Sequence, residues 1–459
     1  MKFRIFILPI LIVILTTATV YAQSGHKEDH FDASSLDQLT IRINSGMEIV
    51  VEGTDTPQLS YTYDFEGNKP AYERYFVGFN PEFEKKDGYG AFSIRYPEQS
   101  TQNVSYEIKK NRLVIKLPRQ LKLEVSTQYS SLHISNIDRD THVYNRSGSV
   151  TIENIGQALQ VSNDYGDISA RNIQGDVTLR ARSSQINLSQ VTGRVNIGSP
   201  YSKMSVSQID GDVEVQNQSG TINAFNIQGS FSGKADYTEF KLTNIEGRTR
   251  LSSKSGNVTV DNIRDFSFEG EYTDVSARNI RDADLVDIRG RSATITLAVI
   301  NAKTSVQGEY LDIQANEIVS DIAITNRSGT VHLKDIQGML KYVGYYTDIE
   351  LNNFNGKVIR MNSKNGSIKG RGIKGISAIS IQSEYGDIDL DLDQIFEGQL
   401  HLITTYGSIK HNFDLTNSKT IQKSQRNVVQ GTVGTISDGN SSNRIMIQAA
   451  NGNIRVNAN

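Results

Sequence analysis

Apolar and polar residues alternate in short runs that return about every 18 residues from Tyr129 onward. The run 147–155 reads SGSVTIENI, and the run 165–173 reads YGDISARNI. Alternation with a period of two is typical of β-strands. A unit this short cannot bury a core alone, so its repetition predicts a β-solenoid in which coils stack on one another.

Each repeat, numbered from its first Tyr or Ser, has apolar residues at positions 4, 6, 13 and 15. We predict that these positions point into the solenoid. The residues that test this prediction are Val150, Ile152, Ile168, Val213, Val258 and Ile349. The repeats begin at Tyr129, Ser147, Tyr165, Ser183, Tyr201, Ser219, Tyr237, Ser255, Tyr272, Ser292, Tyr310, Ser328, Tyr346, Asn365, Tyr385 and Tyr406.

Two further positions predict the corners of the coil. Position 8 is usually Asn, for example Asn154 and Asn172, whose side chains can hydrogen-bond to the coils above and below. Position 11 is often Gly, for example Gly193 and Gly229. Glycine permits the positive φ that a tight corner needs, so we expect that conformation there.

Position 1 alternates between Tyr and Ser, which leaves coils of 18 or 36 residues as alternatives. The residue before position 1 alternates in charge, as in Glu309 and Arg327. In 36-residue coils like charges would stack directly, which is unfavourable on adjacent strands. We therefore predict 18-residue coils, with Tyr165 between Ser147 and Ser183.

The remaining segments set the domain boundaries. Residues 1–22 have a basic start, an apolar run and a small residue at the end, which predicts a cleaved signal peptide. We expect a flexible tail at 23–38, a β-rich N-terminal cap at 39–123, solenoid repeats at 124–415 and closing strands at 416–459. The predicted fold class is an all-β, right-handed parallel β-helix of about sixteen 18-residue coils.

Composition narrows the possible partners. Without the signal peptide the chain would hold 46 basic and 51 acidic residues, a balance that argues against nucleic acid as a partner. The absence of cysteine excludes a lipid-anchored lipoprotein and suits an oxidising compartment. No apolar segment after the signal is long enough to cross a membrane. We expect an exported protein of the periplasm, the outer-membrane surface or the extracellular space, with its oligomeric state open.

The chain resembles a bacterial family of unknown function whose members are named "putative adhesin", including the head-GIN type. The resemblance rests on the RLVIKLP segment at 112–118, the repeated YGDI and SGxV turns, and GNIRV at 452–456. It spans most of the chain after the signal. The family implies a right-handed β-helix in the bacterial envelope and offers no catalytic residues.

The candidate binding residues lie in the densest aromatic stretch, 61–96. Clustered aromatics form a sugar- or protein-binding platform or the packed core of a cap, and both interpretations stay open. The candidates are Tyr72, Tyr75, Phe76, Phe79 and Phe83. The tyrosines of the repeat either fill a corner or form a contact surface.

No arrangement of residues predicts catalysis, a metal site or a cofactor. Asp387, Asp389, Asp391 and Asp393 share one face of a strand, but basic residues occupy the matching positions of neighbouring coils. We expect a charge ladder, with Asp389 beside Lys369 and Lys410. A stretch with His26 and His30 is expected to be solvated.

The sequence favours a non-enzymatic envelope or surface protein that binds a glycan or another protein along its rod. A structural or self-assembling envelope component is the alternative. A polysaccharide lyase or hydrolase is the third hypothesis, because larger β-helices host such enzymes, although fold alone does not assign function.

Overall fold

The computed structural model describes residues 22–96, 105–281, 283–393, 396–434 and 443–458. The predicted signal peptide lies outside them, except for Ala22. The described chain forms parallel stacked coils of a β-solenoid with about fifteen turns. All 35 strands of the described residues belong to one sheet.

The N-terminal part contains seven strands and one short helical segment. The helical segment consists of α1 (Lys69–Ala71) followed by a π-helical turn at Tyr72–Val77. The strands are β1 (Gln23–Asp32), β2 (Gln38–Ile43), β3 (Glu48–Thr54), β4 (Gln58–Gly67), β5 (Pro81–Lys86), β6 (Tyr89–Ile94) and β7 (Ile108–Pro118).

The central coils contain 22 further strands, some of which continue through a corner without a break. They are β8 (Lys122–Thr127), β9 (Ser131–Ile137), β10 (Thr141–Ser147), β11 (Val150–Ile155), β12 (Leu159–Tyr165), β13 (Ile168–Ile173), β14 (Val177–Ser183), β15 (Gln185–Val191), β16 (Val195–Gly198), β17 (Tyr201–Ile209), β18 (Val213–Gln216), β19 (Ser219–Ile227), β20 (Phe231–Glu271), β21 (Thr273–Ile280), β22 (Leu285–Ile300), β23 (Lys303–Ile318), β24 (Ile322–Ile336), β25 (Leu340–Phe354), β26 (Val358–Asn365), β27 (Ile368–Ile373), β28 (Ala378–Tyr385) and β29 (Ile388–Leu392).

Six strands close the C-terminal end of the solenoid. They are β30 (Gly398–Tyr406), β31 (Ile409–His411), β32 (Leu415–Lys423), β33 (Arg426–Val433), β34 (Arg444–Asn451) and β35 (Ile454–Ala458). Among the described residues, no helix has the length and apolar character needed to cross a bilayer.

The apolar positions of the repeat fill the interior. Val150, Ile152 and Ile168 are fully buried, and Val213, Val258 and Ile349 are each only 1% exposed, which confirms the predicted inward face. Parallel pairing aligns the same position of successive coils, as in Val150 with Ile168. Each inward residue therefore packs on its equivalents one coil above and below, and one continuous core results.

The Asn corner is confirmed and has a backbone function as well. Residues at position 8 from Asn136 to Asn353 have φ values between 52° and 61°. Asn tolerates this left-handed conformation better than most residues. Asn154 donates its side-chain amide to Asn136 at 2.9 Å, and Asn244 donates to Asn226 at 2.9 Å. The amides thus form ladders along the rod axis.

The expectation of a positive φ at the position-11 glycines is wrong for most of them. Of the eight that the repeat predicts, only Gly375 has a positive φ. The others allow close approach between coils instead. A Cβ on Gly229 would lie 2.3 Å from the carbonyl oxygen of Gly211 in the preceding coil. The positive φ occurs at position 2, where Gly166 has a φ of 133°.

Residues 23–32 differ from the expected flexible tail, because they form β1. This strand pairs antiparallel with β4 from Gln23 opposite Gly67 to Asp32 opposite Gln58. Phe31 stacks on Phe83 with ring centroids 4.8 Å apart. The ammonium of Lys27 lies 5.0 Å from the Phe76 ring centroid. These aromatic contacts hold a strand whose polar composition does not predict order.

Both ends of the rod depart from sequential stacking. At the N-terminal end, β2 lies between β6 and β8, and β3 lies between β7 and β9. At the C-terminal end, β34 lies between β28 and β30, and β35 lies between β29 and β31. The first and last coils of the chain are therefore each held between two others, and antiparallel strands cover the ends.

Candidate binding surface

The corner at positions 1 and 2 carries the most regular exposed aromatic residues of the chain. In several coils position 2 is a glycine that approaches its neighbour closely: a Cβ on Gly166 would lie 2.3 Å from the carbonyl oxygen of Gly148. The turn places position 1 at the outside of the corner. The side chain of Tyr165 is accordingly 47% exposed.

Nine tyrosines occupy this corner, each between 47% and 61% exposed. We call them the tyrosine stripe. Its members are Tyr129, Tyr165, Tyr201, Tyr237, Tyr272, Tyr310, Tyr346, Tyr385 and Tyr406. The sequence left open whether they fill a corner or form a contact surface. Their exposure shows that they leave the core and line the outside of the rod.

The tyrosines of the stripe stand on alternate coils. Tyr165 pairs with Ser147 on one side and with Ser183 on the other, which confirms the predicted 18-residue coil. Adjacent strands lie about 4.8 Å apart, so successive tyrosines are about 9.6 Å apart along the axis. Asn451 pairs with both Tyr385 and Tyr406, and the inserted last coil thus preserves the alternation.

The aspartate at position 3 of several coils holds the next coil. Asp312 accepts a hydrogen bond from the backbone N–H of Thr330 at 2.9 Å, and Asp348 accepts one from Ser367 at 2.7 Å. The hydroxyl of Ser367 also donates to Asp348 at 2.8 Å. These two donors lower the pKa of Asp348 below its usual value. The aspartate of the motif is therefore structural.

Charges beside the stripe compensate one another between coils. Glu309 lies 3.9 Å from Arg291 and 3.4 Å from Arg327, and Lys254 lies 3.2 Å from Asp236. The predicted alternation of charge is confirmed at these coils. Because basic and acidic residues alternate at these coils, they do not form a surface of a single sign, which limits the attraction of the stripe for highly charged partners.

The aromatic candidates of the cap lie together around the π-helical turn. Phe79 is buried and stacks on Tyr63 with centroids 3.9 Å apart. Tyr72, Tyr75, Phe76 and Phe83 are partly buried and pack against the core. Tyr72 stacks on Phe76 at 4.8 Å. One face of this cluster therefore supports the cap, and the partial exposure of four of its members leaves their outer surfaces accessible.

The four aspartates of the last regular coil all have polar partners. Asp389 pairs with Lys369 as predicted, but Arg455 occupies the place predicted for Lys410, because the last coil inserts there. Arg371 lies 2.6 Å from Asp389 and 3.2 Å from Asp391, and Lys374 lies 2.8 Å from Asp393. Asp387 accepts from the backbone N–H of Asn453.

The histidines near the start lie in β1 and not in a solvated tail. His26 contacts Asp64 at 2.7 Å through Nδ1. This hydrogen bond is the main reason that the pKa of His26 is raised. Within the described ranges, no group of three His, Cys, Asp or Glu residues has a geometry that could hold a metal ion.

Two overlapping segments, 37–239 and 212–457, match the Toastrack DUF4097 family. The chain belongs to this family. Toastrack is a family of unknown function with a solenoid fold, which confirms the resemblance drawn from the repeats. The two matches overlap at 212–239, inside an unbroken run of coils. The two matched segments therefore form one continuous rod, with one cap at each end.

Comparison with solved structures gives distant similarities. A "putative cell adhesion protein" of Clostridium sporogenes is 10% identical with a TM-score of 0.18, and the match covers 95% of this chain and all of that one. A "Putative lipid binding protein" of Parabacteroides distasonis is 15% identical with a TM-score of 0.18, and covers 80% of this chain and 96% of that one. No curated protein matches the chain.

Proposed function

We propose that this Toastrack protein is an exported, non-enzymatic envelope or surface protein that binds a polymer or another protein along its rod. The observation that carries the proposal is the tyrosine stripe. Nine half-exposed tyrosines recur at a constant interval over most of the solenoid. Tyrosine supplies a large amphipathic contact area at a low entropic cost on binding.

A line of equal contacts favours an extended partner. Each tyrosine alone offers a weak site, but a partner held at one site meets the next at a high effective concentration. The rigid spacing set by the parallel strands keeps the sites in line. An elongated partner therefore gains affinity with length, whereas a small molecule gains nothing from the repetition.

The cap offers a second contact for the same partner. We include the outer surfaces of Tyr72, Tyr75, Phe76 and Phe83 in the proposed binding surface, with Phe79 as the buried support beneath them. Partly exposed aromatic clusters are frequent in binding sites. The signal-like residues 1–22 support export, and the repeat supports a non-enzymatic role because its acidic residues are engaged in bonds between coils.

A self-assembling envelope component is the second candidate function, and the edge strands favour it. Within the described chain, β1 pairs only with β4, and β32 pairs only with β33. β1 carries Glu28, Asp29 and Asp32, whereas β32 carries Lys419 and Lys423. Opposite charges on two open edges suit end-to-end association, although charged edge residues also prevent it in many proteins.

The experiment that tests the proposal is binding of the purified chain, without residues 1–22, to arrays of glycans and envelope proteins. We expect binding without cleavage, and loss of binding in Tyr201→Ala/Tyr237→Ala/Tyr272→Ala. Phe225→Ala is the matched control, because Phe225 is 41% exposed but lies outside the stripe. Bond cleavage in a polysaccharide panel would support the enzyme hypothesis instead. Concentration-dependent filaments without array binding would favour self-assembly.

A further inference from the structure

We propose that the tyrosine stripe binds a neutral, extended β-linked glycan whose disaccharide unit spans two coils. This inference rests on the proposed function and names the class of its ligand. Each tyrosine stacks on one sugar ring of a pair, and the intervening coil contacts the other sugar through polar groups. Three observations lead to this ligand: the interval of the tyrosines, the alternation of the coils and the balance of charge.

The interval between tyrosines matches the repeat of such a glycan. Successive tyrosines are two coils apart, at about 9.6 Å. In an extended β-linked chain each sugar is about as long as the spacing of one coil, so two sugars reach from one tyrosine to the next. Because every strand pair keeps the same register from Ser147 to Ser219, the match is maintained over several repeats.

The alternation of the coils matches the symmetry of the polymer. Successive sugars of an extended β-linked glycan turn over, so every second sugar presents the same face. The stripe likewise presents a tyrosine only on every second coil. The coils between carry a serine that is at least partly exposed, for example Ser183, Ser255 and Ser328. A tyrosine therefore lies opposite the same ring face of every second sugar, and a serine lies opposite each sugar between them.

The balance of charge favours a neutral ligand. Basic and acidic residues alternate beside the stripe: Arg327 and Arg291 flank Glu309, and Lys254 contacts Asp236. A polyanion would have to displace these acids. A neutral glycan needs no displacement, since its hydroxyl groups donate to carboxylates and accept from guanidinium groups.

A proline-rich peptide is the competing ligand of a tyrosine-lined surface. A polyproline II helix repeats after about 9.3 Å, which is also close to the interval of the stripe. It completes its turn in three residues, however. No residue of the peptide therefore lies midway along the turn, opposite the serine coil between two tyrosines. The twofold alternation of the surface therefore favours the glycan.

The test measures binding of the whole chain after the signal to β-linked cello-oligosaccharides of increasing length, with α-linked malto-oligosaccharides and oligoproline as comparison ligands. We expect affinity for the β-linked series to rise with every second sugar, and weak binding of the other two. Tyr201→Ala/Tyr237→Ala/Tyr272→Ala should lower the affinity for long oligomers by about threefold or more per tyrosine. Phe225→Ala should leave it unchanged.

A second measurement does not depend on the folding of the variant. Long β-linked oligomers should protect the stripe tyrosines of the unaltered chain from nitration, read by peptide mass analysis. Preferential, stripe-dependent binding of oligoproline or of another array ligand would overturn the glycan and leave the proposed function standing. Equal gains per single sugar, or no protection of the stripe, would also overturn this inference. No binding to any array ligand would overturn both.

Discussion

The Nε of Arg455 lies 2.5 Å from Oδ1 of Asp389, 66 residues earlier in the chain. The two residues are neighbours because β35 pairs directly with β29. The coil formed by β30 and β31, which follows β29 in the sequence, is displaced by one place and pairs with the far side of β34 and β35. The last coil of the chain thus lies between two coils that are formed by earlier residues.

The inserted last coil should hold the C-terminal end of the rod together. Ile445 and Ile447 are fully buried between neighbouring coils. Replacing an isoleucine in a core by alanine costs about 2–5 kcal/mol. We expect Ile445→Ala/Ile447→Ala to expose residues 398–434 to hydrogen exchange and to proteolysis, while the coils before β28 stay protected.

Met446 provides the control for this prediction, because it lies on the same strand but points outward and is 36% exposed. Met446→Ala should change stability by less than about 0.5 kcal/mol. Full protection of residues 398–434 in the isoleucine variant would show that the displaced coil does not depend on the inserted one.

The position-11 glycines other than Gly375 should be intolerant of any side chain, although their φ values are ordinary. A Cβ on Gly229 would lie 2.3 Å from the Gly211 oxygen and 2.6 Å from the Asp212 nitrogen. Relief of such a contact requires the coils to separate, and overpacking typically costs about 1–3 kcal/mol or more. We expect Gly229→Ala to lower the denaturant midpoint clearly.

Gly198 is the matched control, since it ends β16 in the same solenoid and a Cβ there meets no atom within 4 Å. Gly198→Ala should leave the midpoint unchanged or raise it slightly, because alanine restricts the unfolded chain. Equal losses for the two variants would contradict the close-approach explanation.

The parts of the fold that could be predicted from sequence are those that depend on local periodicity. Val150 and Ile152 reveal their inward direction by alternation alone, and the alternating charges before position 1 reveal the coil length. The sequence in which the terminal coils stack depends on contacts between distant segments. Nothing in the residue pattern of 443–456 indicates that this coil lies between two earlier ones. One hint existed, since direct stacking of Tyr385 on Tyr406 would have broken the Tyr–Ser alternation.

The candidate site was predicted only in part, for a similar reason. The repeat located the tyrosines at a corner, but whether a corner side chain faces the core or the solvent depends on how the coil turns in three dimensions. Tyr165, which a glycine follows, is 47% exposed, and Tyr237, which a threonine follows, is 61% exposed. The sequence does not predict that residues 23–32 form an ordered strand. β1 is held by aromatic rings from β5 and the π-helical turn, which only the tertiary structure brings together.

The aspartate after the turn should make stability depend on pH in the acid range. Asp348 accepts two hydrogen bonds from Ser367, and they lower its pKa in the folded state below the ordinary value of 3.8. The folded state therefore favours the ionised form. The stabilising contribution is complete above the pKa of the unfolded chain and is lost as the pH falls through the folded pKa.

The measurement is the free energy of unfolding as a function of pH for the unaltered chain and for Asp348→Asn. The amide oxygen can still accept from Ser367 but does not titrate, so the variant should lose less stability on acidification below about pH 4. Ser367→Ala, which keeps the backbone donor and removes the hydroxyl donor, should fall between the two. Parallel pH profiles for all three proteins would contradict the assignment.

At position 8, between Asn136 and Asn353, Val299 is apolar and β-branched where the other coils have Asn, Gln, Glu or Asp, and its replacement by Asn should stabilise the protein. Val299 has a φ of 57°, in a ladder where most coils have Asn. A left-handed conformation costs about 1–2 kcal/mol for an ordinary L-residue, and a β-branched side chain makes it worse. Neighbouring strand pairs place Val299 between Asn279 and Glu317, both of which have polar side chains.

We expect Val299→Asn to raise the denaturant midpoint, because Asn accepts the backbone conformation and adds an amide that can bond to Asn279 or Glu317. The reverse exchange, Asn244→Val, should lower it, because it introduces the same strain and removes the bonds of Asn244 to Asn226 and Asn262 at 2.9 Å and 2.7 Å. Asn244→Gly separates the two effects, since glycine keeps the backbone conformation and loses only the amide bonds. If Val299→Asn raises the denaturant midpoint and Asn244→Gly does not lower it, Asn stabilises the corner through its backbone conformation alone. A loss for Val299→Asn would show that the side chain of Val299 packs in a way that outweighs its strained backbone.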